Sequence, residues 1–349
     1  MDGTVFEKLV TQNSKAEAVP ELCESYDVSD DATTIIFHLR KGVKFHDGSE
    51  MTADDVVASM NRWIDGFSSA KSTVGDARFE KVDDYTVKIA ADHSIILLPQ
   101  MIAGAAQPAA ITTAAACEKE DSNGFLEEYI GTGPYKFTEW VQDQYIRLDK
   151  FDDYTAYGTE GEAMDGWAGY KAAPTKTLIF NYVPEATTRE AGLETGQYDI
   201  IDNVPNDDVE RLTSNPDLHV NSYQAGTVAL VFNHKQGIAS NQYFRQAVNT
   251  CLDMDEILTA VYGEGGYDLG SCYMDEAQAF WNTDAGSENY NQKDPDKAKK
   301  ILEENGYNGE TFKILVSTTN NMNYMEVAME QELEAVGIPT ELTIVDWAT

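Results

Sequence analysis

The sequence predicts an α/β fold in at least two domains, and three observations carry that expectation. The chain has 349 residues, more than one ordinary core organises, because single cores stop growing beyond about 250–300 residues. Its last third alternates helix and strand signals, which implies a lobe with some parallel pairing. Hydrophobic residues make up 42% of the chain and aromatics 10%, enough to bury substantial cores and to exclude wholesale disorder.

Residues 33–39, TTIIFHL, are β-branched and apolar and predict a strand, followed by GVKF and a turn at HDGS. Asp47 supplies a side chain for that turn and Gly48 a positive φ. His46 beside Asp47 therefore reads as scaffold, since a general base and its orienting acid usually come from separate parts of a fold. Val56, Met60 and Trp63 fall at i, i+4 and i+7 and predict an amphipathic helix. Thr52 is its expected N-cap, and Asp54 and Asp55 stand in the first turn, where the helix dipole favours acids.

DDYTVKIAA (83–91) reads as a strand with Tyr85, Val87 and Ile89 on one face. GTGPYKFTEWVQDQYIRLDKF (131–151) begins with a Gly/Pro turn and continues as two strands joined near Gln142 and Asp143. The Tyr- and Gly-rich stretch 152–173 is an excursion with little regular structure. KTLIFNYVP reads as a strand, and EATTREAGLETGQYDII as a helix, a stop at Gly196 and a strand. TVALVFNH (227–234) has the pattern of a strong strand, and NQYFRQAVNTCLDMDEILTAVYG that of one helix or two end to end, closing at Gly263. DPDKAKKILEENG carries Pro in its first turn and Gly306 at its stop, so a helix is expected there. TFKILVST, YMEVAMEQELEAVG and TELTIV complete a strand, helix, strand series.

Twenty-five basic against sixty acidic residues leave a net charge of -35, which repels nucleic acid at long range and otherwise acts as a solvated surface. No apolar run approaches the ~18 residues that would span a membrane. The opening MDGTVFEKLV has no basic n-region and no apolar h-region, so no signal peptide is present as written, and either the protein is cytoplasmic or its start is missing. Cys23, Cys117, Cys251 and Cys272 show no CxxC spacing. Free, mostly buried thiols are expected, with a Cys251–Cys272 disulfide as the alternative.

No GxSxG, HExxH, P-loop, EF-hand loop or GxGxxG is present, and the five His residues form no i, i+4 pair. The residues thus signal neither an enzyme nor a metal or cofactor site. What stands out is aromatic content, eighteen Tyr and five Trp, several in loops with Gly and Asn. Tyr267, Tyr273 and Trp281 are examples of side chains that could line a ligand pocket or serve as ordinary packing.

The segment Pro20–Ser59, PELCESYDVSDDATTIIFHLRKGVKFHDGSEMTADDVVAS, resembles the signature of the extracellular solute-binding proteins of ABC transporters that include the oligopeptide-, dipeptide- and nickel-binding proteins. Further blocks follow in the expected order: TVFEKLV near the start, GTGPYKFTEW from Gly131, LVFNHKQGIASNQYFRQAVNTCLDMDEIL from Leu230 and DPDKAKKILEENGY from Asp294. Phe232, Asn233, Arg245, Gln246, Ala247 and Asp253 coincide with the family pattern FN followed by VRQAxxxAID. The resemblance covers nearly the whole chain.

It implies a two-lobed periplasmic-binding-protein-like fold of the class II type with a small inserted extra domain. The expected boundaries are 1–51 and 174–262 for the first lobe and hinge, 52–173 for the insertion and 263–349 for a second lobe incomplete at its C-terminus. It also implies that an export signal and a first strand precede this chain, and that the carboxylate capturing a peptide amino terminus lies beyond its end. The implied role is an extracytoplasmic, non-enzymatic component that binds a small ligand, an oligopeptide in the first instance, in an interlobe cleft and delivers it to membrane permease subunits. Closure follows from the ligand's differential affinity for the closed state. No cofactor and no nucleic-acid partner are implied, and membrane association only through an N-terminal signal or lipid anchor. Carried over by position, the ligand-facing residues are Phe6, Tyr135, Phe232, Asn233, Tyr267, Tyr273 and Trp281, with Asn233 either contacting ligand or only fixing the hinge backbone. An oligosaccharide, a nickel chelate or an opine-like compound are the alternative ligands, and an extracytoplasmic hydrolase is the alternative of a different class.

Overall fold

The computed structural model describes residues 3–122, 124–222, 226–274, 282–317 and 322–345. The chain divides into two compact units, Met1–Pro184 and Glu185–Thr349.

Unit 1 opens with a short antiparallel pair, β1 (Val10–Gln12) and β2 (Ala18–Pro20). It continues with β3 (Cys23–Val28) and β4 (Thr34–Leu39), then α1 (Ala53–Gly66), α2 (Ser68–Val74), β5 (Phe79–Asp83) and β6 (Thr86–Ala90). The four longer strands pair antiparallel in the order β3-β4-β6-β5. Alternation along β4 sends Ile35, Phe37 and Leu39 inward, each no more than 2% exposed, as a strand with one buried face requires. The helix expected after Thr52 forms, and Val56, Met60 and Trp63 all enter this core together with Leu9, Leu22 and Ile64. At its start the Thr52 N–H and hydroxyl both donate to Asp55 Oδ2, at 2.9 and 3.1 Å. Asp55 Oδ1 accepts from the Ala114 N–H at 2.9 Å, so this acid ties the helix end to a distant segment as well as facing the dipole. The boundary expected between residues 51 and 52 runs inside the core, where Met51 and Ala53 belong to one cluster with Leu9 and Leu22.

After α3 (Leu98–Ala103) and α4 (Ala114–Cys117), unit 1 closes with an antiparallel sheet of β7 (Tyr135–Val141), β8 (Tyr145–Lys150) and β9 (Thr177–Asn181). Asp143 takes a positive φ of 58° in the turn between the first two, near the position expected from sequence.

Unit 2 contains α5 (Ala186–Glu194), α6 (Asn206–Thr213), α7 (Gln242–Cys251), α8 (Met254–Tyr262) and α9 (Pro295–Glu304). It ends in β10 (Phe312–Ser317), α10 (Met322–Ala335) and β11 (Thr340–Val345), the two strands pairing in parallel with Phe312 opposite Thr340. The parallel pairing expected for the last third is therefore present, joined by a helix as a parallel connection demands. Helix α9 has Pro295 at its start, Asp294 accepting from the Lys297 N–H at 2.9 Å, and Gly306 just beyond its end at φ 71°.

Two expected strands are corrected. Residues 227–234 form no ladder with any described strand. Over residues 230–233 the alternation survives without it: Leu230 and Phe232 pack on the unit 2 core while Val231 is 86% exposed, but Val228, on the same period-two face as Leu230, is 46% exposed. Periodicity of two sorts faces, but a strand needs a hydrogen-bonding neighbour. The strand expected after Gly196 is likewise absent, and Ile200 is 87% exposed. Cys23, Cys117 and Cys251 form no disulfide, so the Cys251–Cys272 alternative is not realised, and burial pushes the Cys23 and Cys251 thiols up to about 12, the behaviour of inert core thiols.

Candidate functional site

Gly131–Tyr135 lies directly against the amino-terminal segment. A Cβ on Gly131 would stand 1.9 Å from the Val5 carbonyl oxygen, and one on Gly133 would stand 2.3 Å from that of Thr4. Both glycines are required by this approach of two backbones. The Gly133 N–H donates to Val5 O and the Tyr135 N–H to Thr4 O, each at 3.0 Å. Phe6 and Tyr135 are consequently brought together in a small core with Val5, Leu148 and Ala173, at 8% and 6% exposure.

The far side of this turn is held by His46. Its backbone N–H donates to Gly131 O at 2.9 Å. Its ring Nδ1 accepts from the Gly131 N–H at 3.2 Å, and its Nε2 lies 2.9 Å from Gly133 O. An amide can only donate and a carbonyl can only accept, so this ring is neutral with its proton on Nε2. The Phe151 ring meets it edge-on at 5.1 Å. Burial holds the imidazole below its ordinary value of 6.5, and Lys136 adds to that, against the Gly133 carbonyl and Asp47. The neighbouring Asp47 accepts from the Ser49 N–H at 2.9 Å and its hydroxyl at 2.6 Å, and Gly48 has φ 90°. The expectation that HDGS is turn chemistry is borne out for Asp47 and Gly48. His46 does more than turn: it clasps a loop 85 residues later.

Thr132, between the two glycines, donates to Glu7 Oε2 at 3.0 Å. Glu7 is 1% exposed and its Oε1 accepts from Tyr154 at 2.8 Å and from Lys171 at 3.5 Å. Lys171 also binds Glu21 at 2.5 Å, and the other Glu21 oxygen accepts from the Lys8 N–H at 2.8 Å. Burial raises the Glu7 carboxyl above its ordinary range; Lys171 opposes this and Glu21 reinforces it. Burial works against the Lys171 ammonium, yet Glu21 and Glu7 together outweigh it and raise its pKa. Arg40 adds hydrogen bonds to the carbonyls of Thr155 and Ala156 at 2.8 and 2.9 Å and lies over the Tyr157 ring. The irregular stretch 152–173 is therefore strapped down by charge. Sequence reasoning missed this group; its one available signal was Glu7 and Lys8 standing inside the apolar run VFEKLV, where a charge needs a partner.

The remaining expected site residues belong to unit 2. Phe232 stacks on Phe312, ring centroids 6.1 Å apart. Asn233 Oδ1 accepts from the Lys235 and Gln236 N–H groups at 2.9 and 3.2 Å, a side-chain turn. The Tyr267 hydroxyl donates to Asp255 O at 3.1 Å and lies 2.9 Å from Thr259 Oγ1, closing its loop onto α8. Tyr273 is 70% exposed, and Trp281 lies outside the described residues. Among the described residues no group of three or more His, Cys, Asp or Glu could hold a metal ion, and no helix is long and apolar enough to cross a membrane.

Residues 17–349 match the family described as bacterial extracellular solute-binding proteins, family 5 Middle. The chain is 28% identical over 359 residues to the probable peptide ABC transporter periplasmic-binding protein of Sinorhizobium fredii, covering 98% of this chain and 65% of that protein. It is 29% identical over 378 residues to the oligopeptide-binding protein AppA of Bacillus subtilis, covering 98% and 62%. It thus spans just under two thirds of the length of these relatives. Among solved structures, NikA from Brucella suis in complex with Fe(III)-EDTA shares the fold at a TM-score of 0.77 with 21% identity, covering 99% of this chain and 70% of that one. The fold is that of the two-lobed periplasmic binding proteins. The match across nearly all of its length makes this chain a member of the bacterial extracellular solute-binding proteins, family 5.

Proposed function

We propose that the protein is the extracytoplasmic substrate-binding component of an ABC importer, taking peptides in an interlobe cleft and delivering them to membrane permease subunits without chemical change. The single observation that carries this reading is the family match over residues 17–349, supported by the peptide-binding names of two relatives that align with nearly the whole chain. Tyr273, 70% exposed, offers aromatic surface toward the ligand, the kind of side chain that gives contact area with a polar tip, while Phe6, Tyr135 and Phe232, packed in or against cores, act through the backbone they seat. Asn233, with its oxygen engaged in a turn, fixes backbone near the ligand rather than reading it.

A thermal-shift panel of di- to hexapeptides, oligosaccharides and nickel chelates tests the reading. Ligand at about 100 times its dissociation constant adds ~2.7 kcal/mol to stability. A response to peptides that mass spectrometry recovers intact is the expected result. A silent peptide set with a response to sugar or chelate moves the substrate, and peptides recovered cleaved would make the protein a hydrolase.

A further inference from the structure

We propose that His46 is a positioning residue that makes the Gly131–Tyr135 turn proton-sensitive, so that the Phe6 and Tyr135 aromatic pair is held firmly at neutral pH and loosens in acid. The inference rests on the peptide-binding reading only for its consequence; the clamp itself stands on geometry. Nδ1 accepts from the Gly131 N–H and Nε2 donates to the Gly133 carbonyl, so both ring nitrogens are committed and only the neutral Nε2–H form fits. A proton added to Nδ1 would set an N–H against an N–H, and the Gly131 amide would lose its acceptor.

The turn has nowhere to move while closed. Gly131 and Gly133 are in backbone contact with Val5 and Thr4, and the two hydrogen bonds to Val5 O and Thr4 O depend on that approach. Losing the ring contacts therefore works directly on the backbone that seats Phe6 and Tyr135. The charged groups facing the ring are Lys136 on β7, which disfavours its protonation, and Asp47 in its own turn, which favours it. Glu7 acts on the same turn from the other side through Thr132.

The test needs no ligand. Nitrogen-15 NMR of the His46 ring at pH 7.5 should report the Nε2–H tautomer. Exchange protection of the Gly131 amide, corrected for the intrinsic pH dependence of exchange, should fall by up to about tenfold per pH unit below about 6.5. In His46→Gln, whose amide can accept and donate without titrating, protection should match wild type at pH 7.5 and stay flat into acid. An Nδ1–H tautomer, protection independent of pH in the wild type, or the same acid slope in the variant would each overturn the proposal. Should the variant fold poorly, tautomer and wild-type slope still decide it. The peptide panel repeated at pH 7.5 and 5.5 separates the two readings. Weaker binding in acid in the wild type but not in the variant supports the link to ligand. Equal binding at both values while the turn loosens breaks that link, and a panel silent at both overturns the peptide reading while the exchange data decide the clamp.

Discussion

Unit 1 buries Glu7 at 1% exposure among three donors, whereas unit 2 buries Glu326 at 7% exposure with an oxygen that meets none among the described residues. Burial raises both carboxyls, Glu326 to about 7. The difference lies in what happens on ionisation. Glu7 shares its charge with Lys171, Tyr154 and Thr132 and so fastens three segments together. Glu326 on α10 gains nothing from being charged, and its ionisation works against its own helix packing. A buried charge is a fastener only where the fold supplies its donors.

The sharpest way to break the comparison is at the backbone approach that unit 1 depends on. Gly131→Val should cost more than about 4–5 kcal/mol, the range reserved for structural insults of this kind, and its soluble yield and chemical denaturation midpoint would show it. Retained stability would mean that the turn does not press on Val5. Next, Lys171→Met should cost about 3–5 kcal/mol at pH 7, because it leaves two carboxylates buried without their cation. The folded-state pKa of Glu7 is already raised, so the folded protein takes up a proton before the unfolded one does. The loss should therefore shrink as pH falls from 7 toward 4.5, and urea melts at pH 7 and 5 check it.

In unit 2 the sign reverses: Glu326→Gln should stabilise by about 1–3 kcal/mol at pH 8. The raised folded pKa means that stability present below the ordinary carboxylate range is lost as pH rises through about 7. Removing the carboxylate should abolish that loss, and a variant that loses as much stability between about pH 4.5 and 7 as wild type would show that Glu326 is not its source. The smallest effect is expected at Tyr267→Phe, roughly 0.5–1.5 kcal/mol for the hydroxyl that ties its loop to α8, read from thermal denaturation. A loss as large as that of Lys171→Met would erase the contrast between a strapped unit and a loop-closed one.

These contrasts also mark what was legible in the sequence. Local signals were: Val56, Met60 and Trp63 at helical spacing, Pro295 and Gly306 at two ends of one helix, and Ile35, Phe37 and Leu39 alternating along β4 all act within a few residues of one another. The motif blocks were equally legible as a family resemblance. What stayed hidden depends on partners far along the chain. His46 looked like half of a turn because its backbone partners come 85 residues later, and Glu7 finds Lys171 164 residues away. Residues 227–234 misled in the opposite direction, since apolar alternation states which face is buried and nothing about which strand lies alongside. The site residues divide the same way: Phe6 and Tyr135 enter one core through a Gly/Pro turn that is legible locally but whose contact with Thr4 and Val5 is not, while Asn233 and Tyr267 bond within their own neighbourhoods.

The Glu7–Lys171 separation sets a schedule for synthesis. At roughly 5–20 residues per second, typical of translation, the 164 residues between Glu7 and Lys171 take about 8–33 s to emerge. Throughout that interval the amino-terminal segment has been made but cannot be fastened, because neither its ammonium partner nor, for most of the time, the glycine turn yet exists. The Glu7 segment is thus synthesised well ahead of its partners and is among the last parts of its own core to be secured.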